Sequence, residues 1–162
     1  MDARSTIRVA LLAALVGCGP REPVELVDNT LWTAVPEGSA QAGASCSDLA
    51  IALEGSSLEV DTEGCSPVAA PLVLPVDVRE GDPLEIVWWH DWLFFEEPID
   101  GTFTLSVAQG VLYERIEPIP GGPAAYTEQF AAPVSAEAGE TLFLTVDNHG
   151  ANTWNLLRLT RL

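Results

Sequence analysis

Residues 88–95 form the densest group of side chains that could bind a ligand, and they include Trp88, Trp89 and Trp92. Because neighbouring side chains of a strand point to opposite faces, Trp88 and Trp89 cannot both enter one core unless the strand bulges. Aromatic rings grouped on an outer face stack against sugar rings and also suit protein recognition. We therefore predict a binding surface at Trp88, Trp89 and Trp92 whose partner is a glycan or an envelope protein.

The aromatic cluster also fits a second, structural interpretation. A two-layer sandwich can bury most of these rings, with a loop covering the others. The protein would then be a purely structural envelope component without an exposed tryptophan near Trp92. The sequence leaves both interpretations open.

Carboxylates follow the aromatic residues closely. Asp91, Glu96, Glu97 and Asp100 supply the hard oxygen ligands that calcium prefers, usually about 6–8 of them. Their spacing does not match an EF-hand loop. We predict either a calcium site at these four residues or an acidic loop tip surrounded by water, and no other cofactor.

Catalytic patterns are scarce in this chain. The two histidines, His90 and His149, each have an aspartate nearby in sequence, but sequence neighbours rarely orient one another as a catalytic pair. Neither a G-x-S-x-G nor an H-E-x-x-H motif is present. We predict a protein that is not an enzyme and has no catalytic residue, with a small secreted hydrolase as a weaker alternative.

The charge balance excludes several classes of function. The chain has 7 basic and 24 acidic residues, and all the basic ones are arginine. Without lysine there can be no P-loop lysine and no Schiff-base lysine. So acidic a surface repels nucleic acid, whose binding depends on neutralised phosphates. We therefore expect no nucleic-acid partner.

The elements that position these residues are predicted to be strands. Apolar and polar residues alternate with a period of two at residues 58–61, 102–107 and 142–146, and turn signals recur at near-regular spacing. Residues 84–89 are continuously apolar, which is typical of a central strand. Strands are also expected near residues 31–34, 72–78, 111–116, 126–130 and 154–162. Residues 48–54 fit either a helical turn or a strand, and the proline-rich residues 118–123 are expected to form a loop.

This pattern of eight or nine short strands predicts an all-β fold, a single antiparallel β-sandwich of the jelly-roll kind. Its predicted core is drawn from alternate residues of two strands: Phe103, Leu105, Val107, Leu142, Leu144 and Val146. The turn-and-strand segments at residues 79–89 and 138–146 resemble those of jelly-roll accessory domains in secreted bacterial proteins, such as galactose-binding-like modules. That resemblance implies a fold and no ligand residue.

The amino terminus has the features of a cleaved leader. Arg4 and Arg8 precede nine apolar or small residues, a run too short for a spanning helix of about 20 residues. The run ends in Leu15, Val16 and Gly17, and these residues together with Cys18 resemble the lipobox of bacterial lipoproteins. This resemblance implies cleavage before Cys18 and lipid on its sulfur, which would attach the protein to a membrane.

The resemblance also implies a domain organisation: signal peptide at residues 1–17, lipidated tether at 18–24 and β-sandwich at 25–162. Cleavage would remove Arg4, Arg8 and Asp2, which leaves 5 basic and 23 acidic residues and a formal charge of −18. Gly19 is not the aspartate that retains many lipoproteins at the inner membrane. We therefore expect a lipid-anchored cell-envelope protein in the outer membrane of a Gram-negative bacterium.

With Cys18 acylated, Cys46 and Cys65 remain in an oxidising compartment, where a disulfide is the default. The closed loop of about 20 residues would contribute roughly 3 kcal/mol in the chain-entropy model. A zinc site is not expected, because two thiols do not supply its four ligands.

Overall fold

The computed structural model describes residues 22–29, 50–63 and 66–162. Every named element in these ranges is a β-strand, and none of their residues lies in a helix long and apolar enough to cross a membrane. The strands are β1 (Val24–Glu25), β2 (Ile51–Glu54), β3 (Ser57–Asp61), β4 (Val68–Val73), β5 (Pro83–His90), β6 (Ile99–Val107), β7 (Gly110–Ile119), β8 (Ala124–Ala131), β9 (Thr141–Asp147) and β10 (Thr153–Arg161).

Two antiparallel sheets pack face to face, which confirms the predicted all-β sandwich. One sheet has the order β2-β3-β10-β5-β8, with β1 paired to β10, and we call it sheet A. The other, sheet B, has the order β4-β9-β6-β7. From β3 onward the pairs are nested: β3 with β10, β4 with β9, β5 with β8 and β6 with β7. This nesting is the strand arrangement of a jelly roll.

Side-chain alternation fills the space between the sheets. On β5 the side chains of Leu84, Ile86, Trp88 and His90 are buried, while those between them are on the outer face. The strand lies between β10 and β8, so the central position predicted for residues 84–89 is confirmed. All six residues of the predicted core are buried as well.

The structure corrects or completes several local predictions. Residues 51–54 form the strand β2 and not a helical turn. The strand predicted across residues 72–78, whose proline at 75 indicates an edge or a bulge, is observed as β4 and ends at Val73, so this proline lies beyond it. Strand β4 is an edge strand and contains Pro71, whose missing N–H is tolerated there. Strand β7 extends to Ile119, into the predicted loop.

Several predictions fall on residues that the structure does not describe. They are the strand at residues 31–34, the lipidation of Cys18 and the disulfide between Cys46 and Cys65. These remain predictions.

Trp88 joins the two sheets through its ring. It belongs to sheet A, and it stacks on Phe103 of sheet B with ring centroids 4.5 Å apart and an angle of 11° between the planes. Its other ring neighbours include Tyr126 at 4.5 Å and Trp154 at 5.9 Å. Aromatic pairs at such distances add about 0.5–1.5 kcal/mol beyond the area that they bury.

A polar network closes the side of the sandwich between β7 and β8. The indole N–H of Trp88 donates to the hydroxyl of Tyr113 at 2.9 Å, and that hydroxyl donates to Glu128 at 2.9 Å. Arg115 donates to Glu117 at 2.7 Å and to Glu128 at 3.2 Å, and it covers the ring of Tyr126 at 4.5 Å. Burial raises the pKa of the Tyr113 hydroxyl, which therefore stays protonated and can donate.

Candidate functional site

Four loops meet at the end of the sandwich where β5 stops, which we call the loop end. Their described residues are 62–63 with 66–67, 91–98, 120–123 and 148–152. The antiparallel register brings them together, because His90 pairs with both Trp154 and Ala124. The loop end therefore carries the aromatic and acidic residues that the sequence singles out.

Residues 91–98, the aromatic loop, expose three large rings. Trp92 is 59% exposed, Phe94 61% and Phe95 40%. The ring centroids of Trp92 and Phe94 lie 6.3 Å apart, with only 21° between the ring planes. The ring of Phe95 packs beside the imidazole of His149, with 5.4 Å between the two centroids. Three neighbouring rings are thus available to a ligand.

A buried leucine fixes the middle of the aromatic loop. Leu93 is fully buried, between the exposed Trp92 and Phe94. Its N–H donates to the carbonyl of Gly121 at 3.0 Å, and its carbonyl accepts from the N–H of Gly121 at the same distance. The alternation of outward, inward and outward side chains is that of a strand, and it turns both flanking rings toward solvent.

Asn152 fixes the second half of the loop. Its side-chain oxygen accepts from the backbone N–H of Phe94 at 2.7 Å, and its side-chain nitrogen donates to the carbonyl of His149 at 3.0 Å. The backbone N–H of Asn152 in turn donates to the hydroxyl of Thr62 at 3.2 Å. Asn152 is buried, so these bonds are protected from water.

The predicted tryptophans divide between the surface and the core. Trp92 is exposed, and Trp89 is half-buried on the outer face of sheet A. Trp88 has no exposed surface, so its assignment to the binding surface is corrected: strand alternation turns it into the core. The ring beside Trp92 belongs to Phe94 and not to another tryptophan. The alternative that all the aromatics are internal is also corrected by the exposure of Trp92.

Sequence reasoning did not assign Phe94, Phe95 or Asn152 to the site. Phe94 and Phe95 stand within the aromatic run, so an alternation argument continued beyond Trp92 could have included them. Asn152 gives no such signal, because its contact with Phe94 joins residues 58 positions apart.

The acidic residues do not assemble into a metal site. Asp91, Glu96, Glu97 and Asp100 are all exposed. In the described ranges, no group of three or more His, Cys, Asp or Glu side chains is arranged to hold a metal ion. The calcium site therefore stays a prediction without an assembled ligand group in the described ranges, and the exposure of the four residues favours its alternative, an acidic loop tip surrounded by water.

The histidines do not form a catalytic pair. His90 is buried among aromatic rings, where its Nδ1 lies 2.8 Å from the carbonyl of Asp91. His149 is exposed and contacts Phe95. A groove of about 870 Å³ lies away from both, toward the opposite end of the sandwich, and its lining includes Leu26, Leu53 and Leu157.

Two glutamates on the outer face of sheet A have opposite electrostatic surroundings. Partial burial, with a hydrogen bond from Glu54 as the next contribution, raises the pKa of Glu59. Hydrogen bonds from Gln129 and Arg158 lower the pKa of Glu85. Glu59 lies in register with Asn155, which lies in register with Trp89. The surroundings of Trp89 are thus more acidic than the surroundings of Glu85, which lies toward the other end of the same sheet.

Comparisons with known proteins give distant similarities. No protein family matches the chain, and no curated protein does. The chain is similar to a solved structure described as "CBM4 structure and function", with 15% identity, a TM-score of 0.44, and 67% of this chain and 82% of that chain covered. It is also similar to the N-terminal cellulose-binding domain of a Cellulomonas fimi β-1,4-glucanase, with 16% identity, a TM-score of 0.42, and coverages of 68% and 78%. Similarities this distant do not say what this chain binds.

We predict that Gly150→Ala disturbs the aromatic loop. Gly150 has φ = 95°, and a Cβ there would overlap the carbonyl oxygen of Phe94. Gly139 has φ = 88° with no atom near the Cβ position, so Gly139→Ala is the matched control. Urea unfolding should show that the control loses about 1–2 kcal/mol of unfolding free energy and that Gly150→Ala loses ~1–3 kcal/mol more than the control. Equal losses would contradict the contact with Phe94.

We predict opposite effects of pH for the two glutamates. Because the pKa of Glu59 is raised in the folded state, its contribution to stability is present at low pH and is lost as the pH rises through that pKa. Glu59→Gln should therefore raise the melting temperature at neutral pH. A lowered pKa means the reverse, so Glu85→Gln should lower the melting temperature at neutral pH. Both differences in melting temperature from the wild type should shrink when the pH is lowered below the usual pKa range of carboxyl groups. Thermal melts from acidic to neutral pH test this, and shifts of the same sign would contradict it.

Proposed function

We propose that this protein is a non-catalytic glycan-binding module and that Trp92, Phe94 and Phe95 form its contact surface. The observation that carries the proposal is the pair of exposed, nearly parallel rings of Trp92 and Phe94 on a loop fixed at both halves. Flat rings of this kind stack against the apolar faces of sugar rings. The exposed carboxylates beside them are acceptors for sugar hydroxyls.

The rigidity of the loop supports binding. A ligand that meets a loop whose backbone is already held by hydrogen bonds does not have to order that backbone on binding. Here the backbone on both sides of the Phe94 ring is held by Leu93 and Asn152. The aromatic loop is therefore suited to recognition without a large conformational change.

We also propose that the module is anchored through lipid on Cys18, in the outer membrane. Cys18 precedes Val24 by six residues, which extend over at most about 20 Å. Val24 pairs with Arg161, at the end of the sandwich opposite the loop end. Strand β5 has eight residues and spans about 27 Å between these ends. A lipid at Cys18 would therefore leave the aromatic loop facing away from the membrane.

The first test replaces single rings. For an oligosaccharide that the wild-type protein binds, we expect Trp92→Ala to weaken binding by at least about 2 kcal/mol, roughly thirtyfold, because Trp92 supplies the largest exposed ring. Calorimetry with the full-length chain, after a screen of neutral, basic and acidic oligosaccharides, provides the measurement.

Phe143→Ala is the matched control, since Phe143 is 41% exposed on the outer face of sheet B, away from the loop end. Its affinity should equal that of the wild type. If Trp92→Ala and Phe143→Ala bind alike, the aromatic loop is not the glycan site. If no oligosaccharide binds, the proposed function fails.

The second test concerns the anchor. We expect Cys18→Ser to abolish incorporation of labelled palmitate and to move the protein from the membrane fraction to the soluble fraction, because the sulfur is the proposed site of acylation. Cys46→Ser is the control and should keep the label. Continued membrane attachment of the Cys18→Ser protein would contradict the anchor.

A further inference from the structure

Arginine is absent from the loop end within the part of the chain that the structure describes, and the exposed imidazole of His149 is the basic side chain found there. The four arginines of that part lie elsewhere. Arg115 is engaged with Glu117 and Glu128, and Arg158 with Glu85. Arg161 donates to the carbonyl of Asp77, and Arg79 lies in the turn before β5.

The opposite end of the sandwich has exposed carboxylates too, among them Glu80 and Glu137, but Arg79 and Arg161 lie at that end with them. At the loop end a set of exposed acidic side chains has no arginine beside it. The set comprises Glu63, Asp91, Glu96, Glu97, Asp100 and Asp147. Asp91 immediately precedes the exposed rings of the aromatic loop, and Glu96 and Glu97 immediately follow them. The rings and the carboxylates therefore belong to one surface.

Rings and carboxylates both favour a positively charged ligand. The negative face of an exposed tryptophan or phenylalanine ring attracts a cation held over it. Carboxylates form charge-assisted hydrogen bonds with ammonium groups, which are stronger than bonds between neutral partners. A neutral ligand would cover these carboxylates without compensating their charge, and an acidic ligand would be repelled.

We infer that the aromatic loop binds a glycan that carries free amino groups, in other words a polymer of unacetylated amino sugars. This inference rests on the proposed function and names the class of ligand. The nearly parallel rings of Trp92 and Phe94 suit the faces of sugar rings, and the flanking carboxylates of Asp91, Glu96 and Glu97 suit the amino groups. A basic peptide would match the charge but would not need the parallel rings.

The test compares two oligosaccharides that have the same sugar backbone and differ in whether the amino groups are free or acetylated. The full-length chain is titrated with a glucosamine hexamer and with an N-acetylglucosamine hexamer at a pH at which the amines are protonated. We expect the glucosamine hexamer to bind about tenfold more tightly at low salt. The difference should close as salt is raised, since exposed charges are screened within roughly 10 Å at about 0.1 M.

Variants locate the effect. Glu96→Gln/Glu97→Gln should bring the affinity for the glucosamine hexamer close to that for the acetylated one. Glu80→Gln/Glu137→Gln removes two exposed carboxylates from the turns at the opposite end and should leave the affinity unchanged. Equal losses from the two double variants would reveal attraction by net charge alone and would overturn the inference.

Other outcomes separate the inference from the proposed function. Equal affinities for the two hexamers at all salt concentrations would overturn the amino-sugar inference and leave the glycan proposal standing. Failure of both hexamers and of the whole oligosaccharide panel would overturn both. If hexalysine binds as tightly as the glucosamine hexamer, and if Trp92→Ala lowers the affinity for both equally, the surface is that of a basic-peptide site. This result would overturn the inference.

Discussion

The stacking of Trp88 on Phe103 sets the relation between the two sheets, and the loop end is built on that relation. Trp88 is in β5, an interior strand of sheet A, and Phe103 is in β6, an interior strand of sheet B. Their rings meet face to face near the loop end, where Trp154 and Tyr126 extend the stack. Because the indole N–H is satisfied by Tyr113, this large side chain is buried without an unpaired donor. The strands that end above it therefore start their loops from fixed positions.

The aromatic loop combines a firmly held backbone with exposed side chains. Leu93 inserts into the core, and Gly121 and Asn152 bind the backbone on either side of it. Exposed large rings cost solvation free energy, and scattered single examples need no explanation. Three adjacent rings on a loop that is held by buried hydrogen bonds are different, because the same backbone could have been stabilised with polar side chains outside. Their exposure is the feature on which the proposed glycan contact surface rests.

Charge is distributed unevenly over the molecule. Among the arginines of the described ranges, Arg115 and Arg158 pair with neighbouring carboxylates on the strands. The loop end has no such compensation, so its negative field is not cancelled locally. A cationic ligand would restore the balance, and an anchor at the far end of the sandwich would leave this field directed outward.

The sequence by itself determined the fold class and much of the core. Period-two alternation at Phe103, Leu105 and Val107, and again at Leu142, Leu144 and Val146, is a local property, so it could be extracted without knowing which strands pair. The same rule indicated that Trp88 and Trp89 face opposite ways, but it could not say which of them lies inside. That choice depends on the partner across the core, Phe103, which only the tertiary structure supplies.

Only the tertiary structure decided the composition of the site. It left Asp91, Glu96, Glu97 and Asp100 exposed and outside any metal-holding group of side chains in the described ranges. It also brought Asn152 to the backbone of Phe94 across 58 positions of sequence, a contact that the antiparallel register of β5 and β10 creates. Alternation fixes the face on which a side chain lies, whereas register fixes its neighbours, and register depends on the pairing of distant strands.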